Sequence, residues 1–236
     1  SPREFIALGD GRALFTATNS ANGWELWITD GTTAGTVLLK DIDAGSGSSS
    51  PREFIALGDG RALFTATTSA NGRELWITDG TTVGTVLLKD IDVGSGSSDP
   101  YGFIALGDGR FLFSANEGTT GREPWITDGT TSGTHLLADV SPGLDYSASS
   151  SPMAFTVLGN GLVVFRAVDD VNGDELWVTD GTTDGTTLLK DIASGSTGSD
   201  PSSFAVGTAL PTVSEAGGIA NATQTGASTV GGAVAI

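Results

Sequence analysis

The residues able to do chemistry recur in step. The phrase Glu25-Leu26-Trp27-Ile28-Thr29-Asp30-Gly31-Thr32 returns as Glu74 to Thr81, Glu123 to Thr130 and Glu175 to Thr182. Its aspartates, Asp30, Asp79, Asp128 and Asp180, together with the nearby Asp184, are the candidate metal ligands. Turns that combine carboxylates with exposed carbonyls suit calcium, a hard cation that takes about six to eight oxygens. Calcium is therefore the one cofactor the pattern admits, although neither an EF-hand loop nor a calcium-binding nonapeptide accompanies it. The competing reading is geometric, because an Asp before Gly stabilises a tight turn by accepting backbone N–H bonds. The glutamates that open the phrase could be thought of as glycosidase acids, but that reaction needs one acid and one base in a unique cleft. Near-identical copies supply no unique place. Glu25, Glu74, Glu123 and Glu175 are expected instead to meet Lys40, Lys89 and Lys190 across neighbouring strands as exposed pairs. His135 is the single histidine, and no nucleophile-elbow motif comes with it. No catalytic residue is assigned, and the chain is expected not to be an enzyme. The position just before each Glu varies, as Trp24, Arg73, Arg122 and Asp174. Variation there points to exposure, so these four are the candidate ligand-binding residues, with a glycan as the ligand a surface Trp would suit.

A repeat must position these side chains. Residues 1–49 and 50–98 differ only at Asn19/Thr68, Trp24/Arg73, Ala34/Val83 and Ala44/Val93. The third copy runs over 99–150, with extra residues around Leu144-Asp145-Tyr146, and the fourth over 151–199. Residues 200–236 start a fifth copy at Asp200-Pro201 and then lose the pattern. Each copy reads as four strands, in the first Phe5 to Leu8, Ala13 to Ala17, Glu25 to Thr29 and Thr36 to Ile42. Short turns, Gly9-Asp10-Gly11, Ser20-Ala21-Asn22-Gly23 and Asp30-Gly31-Thr32, make them antiparallel neighbours. A longer Gly- and Ser-rich link, Asp43 to Pro51, then leads to the next copy. Three short turns and one long link are the rhythm of a β-propeller blade. The fold class is thus all-β, a propeller of four four-stranded antiparallel blades, with residues 200–236 as a degenerate fifth blade or a tail. Continuous apolar runs such as Val37-Leu38-Leu39 put both sheet faces inside. Trp27, Trp76, Trp125 and Trp177 are assigned to packing between blades, as the structural core of the repeat.

Composition limits the partners. The 236 residues hold 28 acidic and 11 basic side chains, a net charge of −17, and no Cys. So acidic a chain is a poor ligand for nucleic acid or anionic membrane surfaces. Membrane insertion is not expected, and disulfides and thiolate chemistry are excluded. The start at Ser1, already in phase with the repeat, suggests processing or excision from a longer protein.

The order Gly-Asp-Gly, Leu-Phe, Glu-Leu-Trp-Ile-Thr-Asp-Gly-Thr, Gly-Thr and Leu-Leu-Lys-Asp-Ile resembles the ELWxxDGT repeat family over roughly residues 1–206. That resemblance implies a propeller-like repeat region of secreted or surface-exposed bacterial proteins, and no defined reaction. The third copy departs from the pattern, with Pro124 for Leu and Ala138 for Lys, which suggests an edge or an altered contact there. The uncharged segment Ala216 to Ile236 is either a strand that adds to an edge or a linker. The functional expectation is an extracellular structural or adhesive module, self-assembling through strand edges or the tail. Its partners are copies of itself or other surface proteins. The alternative is a glycan-binding, lectin-type propeller with equivalent pockets between blades. Ring closure is left open among four blades, a fifth blade built from residues 200–236, and a second chain.

Overall fold

The computed structural model describes residues 2–142, 149–202, 204 and 205. The chain divides into two units, Ser1–Val206 and Gly207–Ile236. The second unit, which holds the uncharged tail, and the insertion at residues 144–146 lie outside the described residues.

The first unit is four antiparallel sheets of four strands each, every sheet in simple sequential order, with no helix among the described residues. Sheet 1 is Arg3–Ala7, Ala13–Asn19, Gly23–Thr29 and Val37–Lys40. Sheet 2 is Arg52–Ala56, Ala62–Thr68, Gly72–Thr78 and Val86–Lys89. Sheet 3 is Tyr101–Ala105, Phe111–Asn116, Arg122–Thr127 and His135–Leu136, and sheet 4 is Met153–Val157, Val163–Asp169, Gly173–Thr179 and Thr187–Lys190. The β-favouring runs set the strands and the glycine turns set the reversals. Gly9 and Gly11 both take φ near +90°, which lets Asp10 accept the Arg12 N–H at 3.0 Å.

The register places Phe15 opposite Trp27, Phe64 opposite Trp76 and Phe165 opposite Trp177, with the first two pairs packed as tilted rings. Pro124 changes the third sheet. Leu26 pairs with Lys40 and Leu75 with Lys89, but no pair joins Pro124 to Ala138, and the fourth strand shrinks to two residues. A proline has no N–H to give the ladder.

The sheets pack face to face in chain order. Leu8, Leu14, Leu26, Ile28, Leu39 and Ile42 of sheet 1 bury against Ala62, Phe64, Ala66 and Trp76 of sheet 2. The same layer forms between sheets 2 and 3, with Trp125 in it, and again between sheets 3 and 4, where Ala138 and Trp177 pack against the cluster of Val140, Phe165 and Ala167. The first strands approach one another, sheet 1 to 2, 2 to 3 and 3 to 4.

Candidate functional site

Each long link is tied down by a buried carboxylate. Glu74 is fully buried and accepts three bonds: Ile91 N–H at 2.8 Å, Ser98 N–H at 2.8 Å and Ser98 Oγ–H at 2.6 Å. Glu25 does the same with Ile42 and Ser49, Glu123 with Val140 and Ser150, and Glu175 with Ile192, Ala193 and Ser199. The bonded serine is where the chain passes between sheets. Ser49 C=O accepts Thr67 N–H of sheet 2 at 2.8 Å, while Ser50 N–H donates back to Trp24 C=O of sheet 1 at 3.0 Å. Ser98 with Asn116, and Ser150 with Val168, repeat the stitch. The glycines make room for it: a Cβ on Gly23 or Gly72 would collide with the backbone of Gly47 or Gly96.

The expected exposed Glu–Lys pairs are therefore corrected. Lys40 lies opposite Leu26, and neighbouring residues of a strand point to opposite faces, so Glu25 turns away from it. Lys40 instead reaches sheet 2, donating to Thr82 C=O at 3.2 Å and Thr85 C=O at 2.7 Å. The sequence carries a signal for the Glu anchor: a Ser stands just ahead of the Ser-Pro or Asp-Pro pair at the end of every link.

Burial decides the charge state of these groups. Desolvation raises the carboxyls of Glu25 and Glu74, and pushes Glu123 up to about 7, against the opposing effect of their serine and backbone donors. At Glu175 burial still acts upward, but the bonds from Ser199, Ala193 and Ile192 together outweigh it and the net direction is down.

The candidate metal ligands lie in four separate turns, one in each sheet. Asp30 Oδ1 accepts Thr32 N–H and Oγ1–H, and Asp79, Asp128 and Asp180 do the same with Thr81, Thr130 and Thr182. The Thr hydroxyl bonds hold all four carboxyls below the ordinary Asp range. Asp184 is exposed in the same turn as Asp180. Among the described residues no group of three or more His, Cys, Asp or Glu is placed to hold a metal ion. The glycine of the second, third and fourth Asp-Gly serves the sheet before it: Arg12, Arg61 and Arg110 donate to the carbonyls of Gly80, Gly129 and Gly181.

Trp24, Arg73, Arg122 and Asp174 occupy one register position, opposite Thr18, Thr67, Asn116 and Val168. All four are half-buried, where the sequence suggested exposure. The cause is the link and the first strand, which fold over this position. Arg3 lies 4.6 Å from the Trp24 ring centroid, Arg73 pairs with Asp99 at 3.4 Å, Arg122 lies over Tyr101 at 4.9 Å, and Asp174 pairs with Arg166. A recess of about 340 Å3 opens here, lined by Arg3, Glu4, Trp24, Pro51 and Arg52, among others. Its counterpart one copy later is about 240 Å3, lined by Arg52, Glu53, Arg73, Asp99, Pro100 and Tyr101. Glu4 and Glu53 sit at bulges in the first strands with φ of 54° and 57°. Only the third copy has a glycine there, Gly102, so the other copies carry a left-handed cost of roughly 1–2 kcal/mol at the recess wall. His135 is exposed on the short fourth strand of sheet 3.

No family model matches the chain, and no curated protein does. Solved structures similar to it include a puromycin hydrolase (TM-score 0.49, 15% identity, 82% of this chain and 28% of that one). Others are the Pyrococcus horikoshii acylaminoacyl peptidase (0.45, 14%, 79% and 26%) and a Mycobacterium tuberculosis puromycin-hydrolyzing peptidase (0.45, 16%, 82% and 29%). The chain spans between a quarter and a third of the length of these proteins. They correct the expectation that the chain is not an enzyme. The structures it resembles are hydrolases and peptidases, and neither the near-identity of the copies nor a missing motif was ground enough for that exclusion. Likenesses at this TM-score bring no reaction and no catalytic residue to this chain.

Proposed function

We propose that the chain is an extracellular structural or adhesive repeat module whose four sheets are the blades of a β-propeller. The observation that carries this reading is where the recurring polar groups go. The four glutamates hold the links, the turn aspartates bind their own threonines, and three of the arginines clasp the next sheet. The recurring glutamates and arginines join one sheet to the next, and the aspartates shape the turns that receive those arginines. First strands side by side, with a long link crossing to the next sheet, are the features of propeller blades. The motif resemblance to the ELWxxDGT repeats supports the extracellular setting.

A second reading, glycan binding, is favoured by one feature: the recess beside Trp24 and its counterpart beside Arg73 stand at equivalent places in consecutive copies. Beads coated with the full chain should be retained on bacterial cell surfaces well above beads coated with heat-denatured chain. Equal retention of the two contradicts the adhesive reading. Retention that is competed by free oligosaccharide and lost in Trp24→Ala favours the glycan reading.

A further inference from the structure

The internal interface occurs three times, and each of its two halves occurs once more without a mate among the described residues. On the leading half, Leu39, Leu88 and Leu137 are 6%, 5% and 2% exposed, whereas the equivalent Leu189 of sheet 4 is 49% exposed. Ile42, Ile91 and Val140 are buried, and the equivalent Ile192 is 54% exposed. On the receiving half, Phe54, Phe103 and Phe155 are half-buried under the preceding sheet's residues, and Phe5 of sheet 1 is 65% exposed. The Thr78–Thr85 and Thr127–Thr134 hydroxyl pairs are buried, while Thr29–Thr36 is open.

The polar seam shows the same vacancy. Thr82, Thr131 and Thr183 donate to the carbonyls of Leu39, Leu88 and Leu137 at 2.8, 3.0 and 2.7 Å. Their counterpart is Thr33, and the acceptor that corresponds is Leu189 C=O. Thr67, Asn116 and Val168 give their N–H groups to Ser49, Ser98 and Ser150. Among the described residues, the corresponding groups that make no such bond are Thr18 N–H and Ser199 C=O. A methyl placed on Gly80, Gly129 or Gly181 meets the Arg or Leu of the preceding sheet, while around Gly31 there is open space.

We propose that a second copy of this chain docks here, the outer face of its sheet 4 on the Phe5–Trp27 face of sheet 1. The occupant follows from continuity: the exposed halves carry the residues that already mate with each other inside the chain. The contact is head-to-tail, so it produces a ring where the rotation closes and a filament where it does not. It is also weaker than the internal seams, because Leu162 stands where Arg12, Arg61 and Arg110 clasp the following sheet. Two bodies of net charge −17 repel each other, so association strengthens as salt shortens the screening length to about 8 Å near 0.15 M. This inference rests on the modular reading above but fails separately from it: a monomer can still adhere, and an assembling chain can fail to.

Light scattering on the full chain over a range of concentrations tests it, with Phe5→Glu and Leu189→Glu as variants. Both side chains are exposed in the single chain, and circular dichroism with a denaturation curve checks that each variant folds. Should a Glu variant unfold, Phe5→Ser and Leu189→Ser take its place. The wild type is expected to grow in mass with concentration, and each variant to self-associate at least ~100-fold more weakly, since an unpaired buried charge is costly. An equimolar mixture of the two variants should recover a dimer and nothing larger, because each retains the half the other lacks. A wild type that stays monomeric, its faces covered by residues 206–236 or by solvent alone, overturns the proposal. So do variants that assemble normally, or a mixture that stays monomeric.

Discussion

The chemistry of single residues here is the chemistry of burial. A glutamate with three donors is well satisfied, yet burial still raises Glu25, Glu74 and above all Glu123, whose carboxyl titrates at about 7. The folded state thus holds this proton more tightly than the unfolded chain, where the ordinary value is 4.5. The stabilisation from that proton is complete below the unfolded value and is lost as pH rises through about 7. The turn aspartates act oppositely. Their depressed carboxyls stabilise the fold above the ordinary value of 3.8, and that contribution is lost as pH falls below it. Denaturant midpoints are therefore expected to decline between pH 5 and pH 8, with at most ~3 kcal/mol of the decline due to Glu123. Glu123→Gln should lower stability overall, since a carboxamide cannot accept from all three donors, and should flatten the decline. An unchanged slope in the variant would contradict this assignment.

At the scale of elements, the Asp-Gly turn does two jobs that sequence alone does not separate. Its first job, reversing the chain, was legible: Asp30 binds Thr32 as an Asp before Gly in a tight turn should. The second, receiving an arginine from another sheet, depends on a residue 68 positions away, Arg12 for Gly80. Gly31 and Gly80 share a positive φ of 84° and 78°, but only Gly80 has Arg12 within 2.7 Å of where a Cβ would stand. Gly31→Ala should cost only the left-handed backbone penalty of roughly 1–2 kcal/mol. Gly80→Ala should cost about 1 kcal/mol more by displacing the arginine's bonds. Equal losses in chemical denaturation would mean that the clasp contributes nothing. The strands themselves were readable because apolar runs and glycine turns act locally. The partner of Glu25 was not, because a long link folds back over the strand and brings Ser49 to it. Lys40 was misplaced for a related reason: alternation along the strand decides its face, and only the neighbouring sheet supplies its acceptors.

For the molecule as a whole, the repeat makes stability a matter of neighbours. Each internal sheet has an apolar layer and a polar seam on both sides, and such arrays gain stability from their interfaces as well as from each unit. The four-sheet count and the order of the sheets were legible from the period of the sequence. The mismatch between the two ends was not, since Leu189 and Leu88 look alike in sequence and differ only in what lies against them. One interface, used three times, leaves Leu189 and Ile192 of sheet 4 exposed, with no sheet among the described residues packed on them. Hydrogen exchange on the full chain, followed by mass spectrometry in dilute and concentrated solution, tests it most directly. Amides of Thr187–Lys190 should exchange faster than those of Val86–Lys89 when dilute, and slow as concentration brings a second copy onto the face. Protection of Thr187–Lys190 equal to that of Val86–Lys89 at every concentration would contradict it.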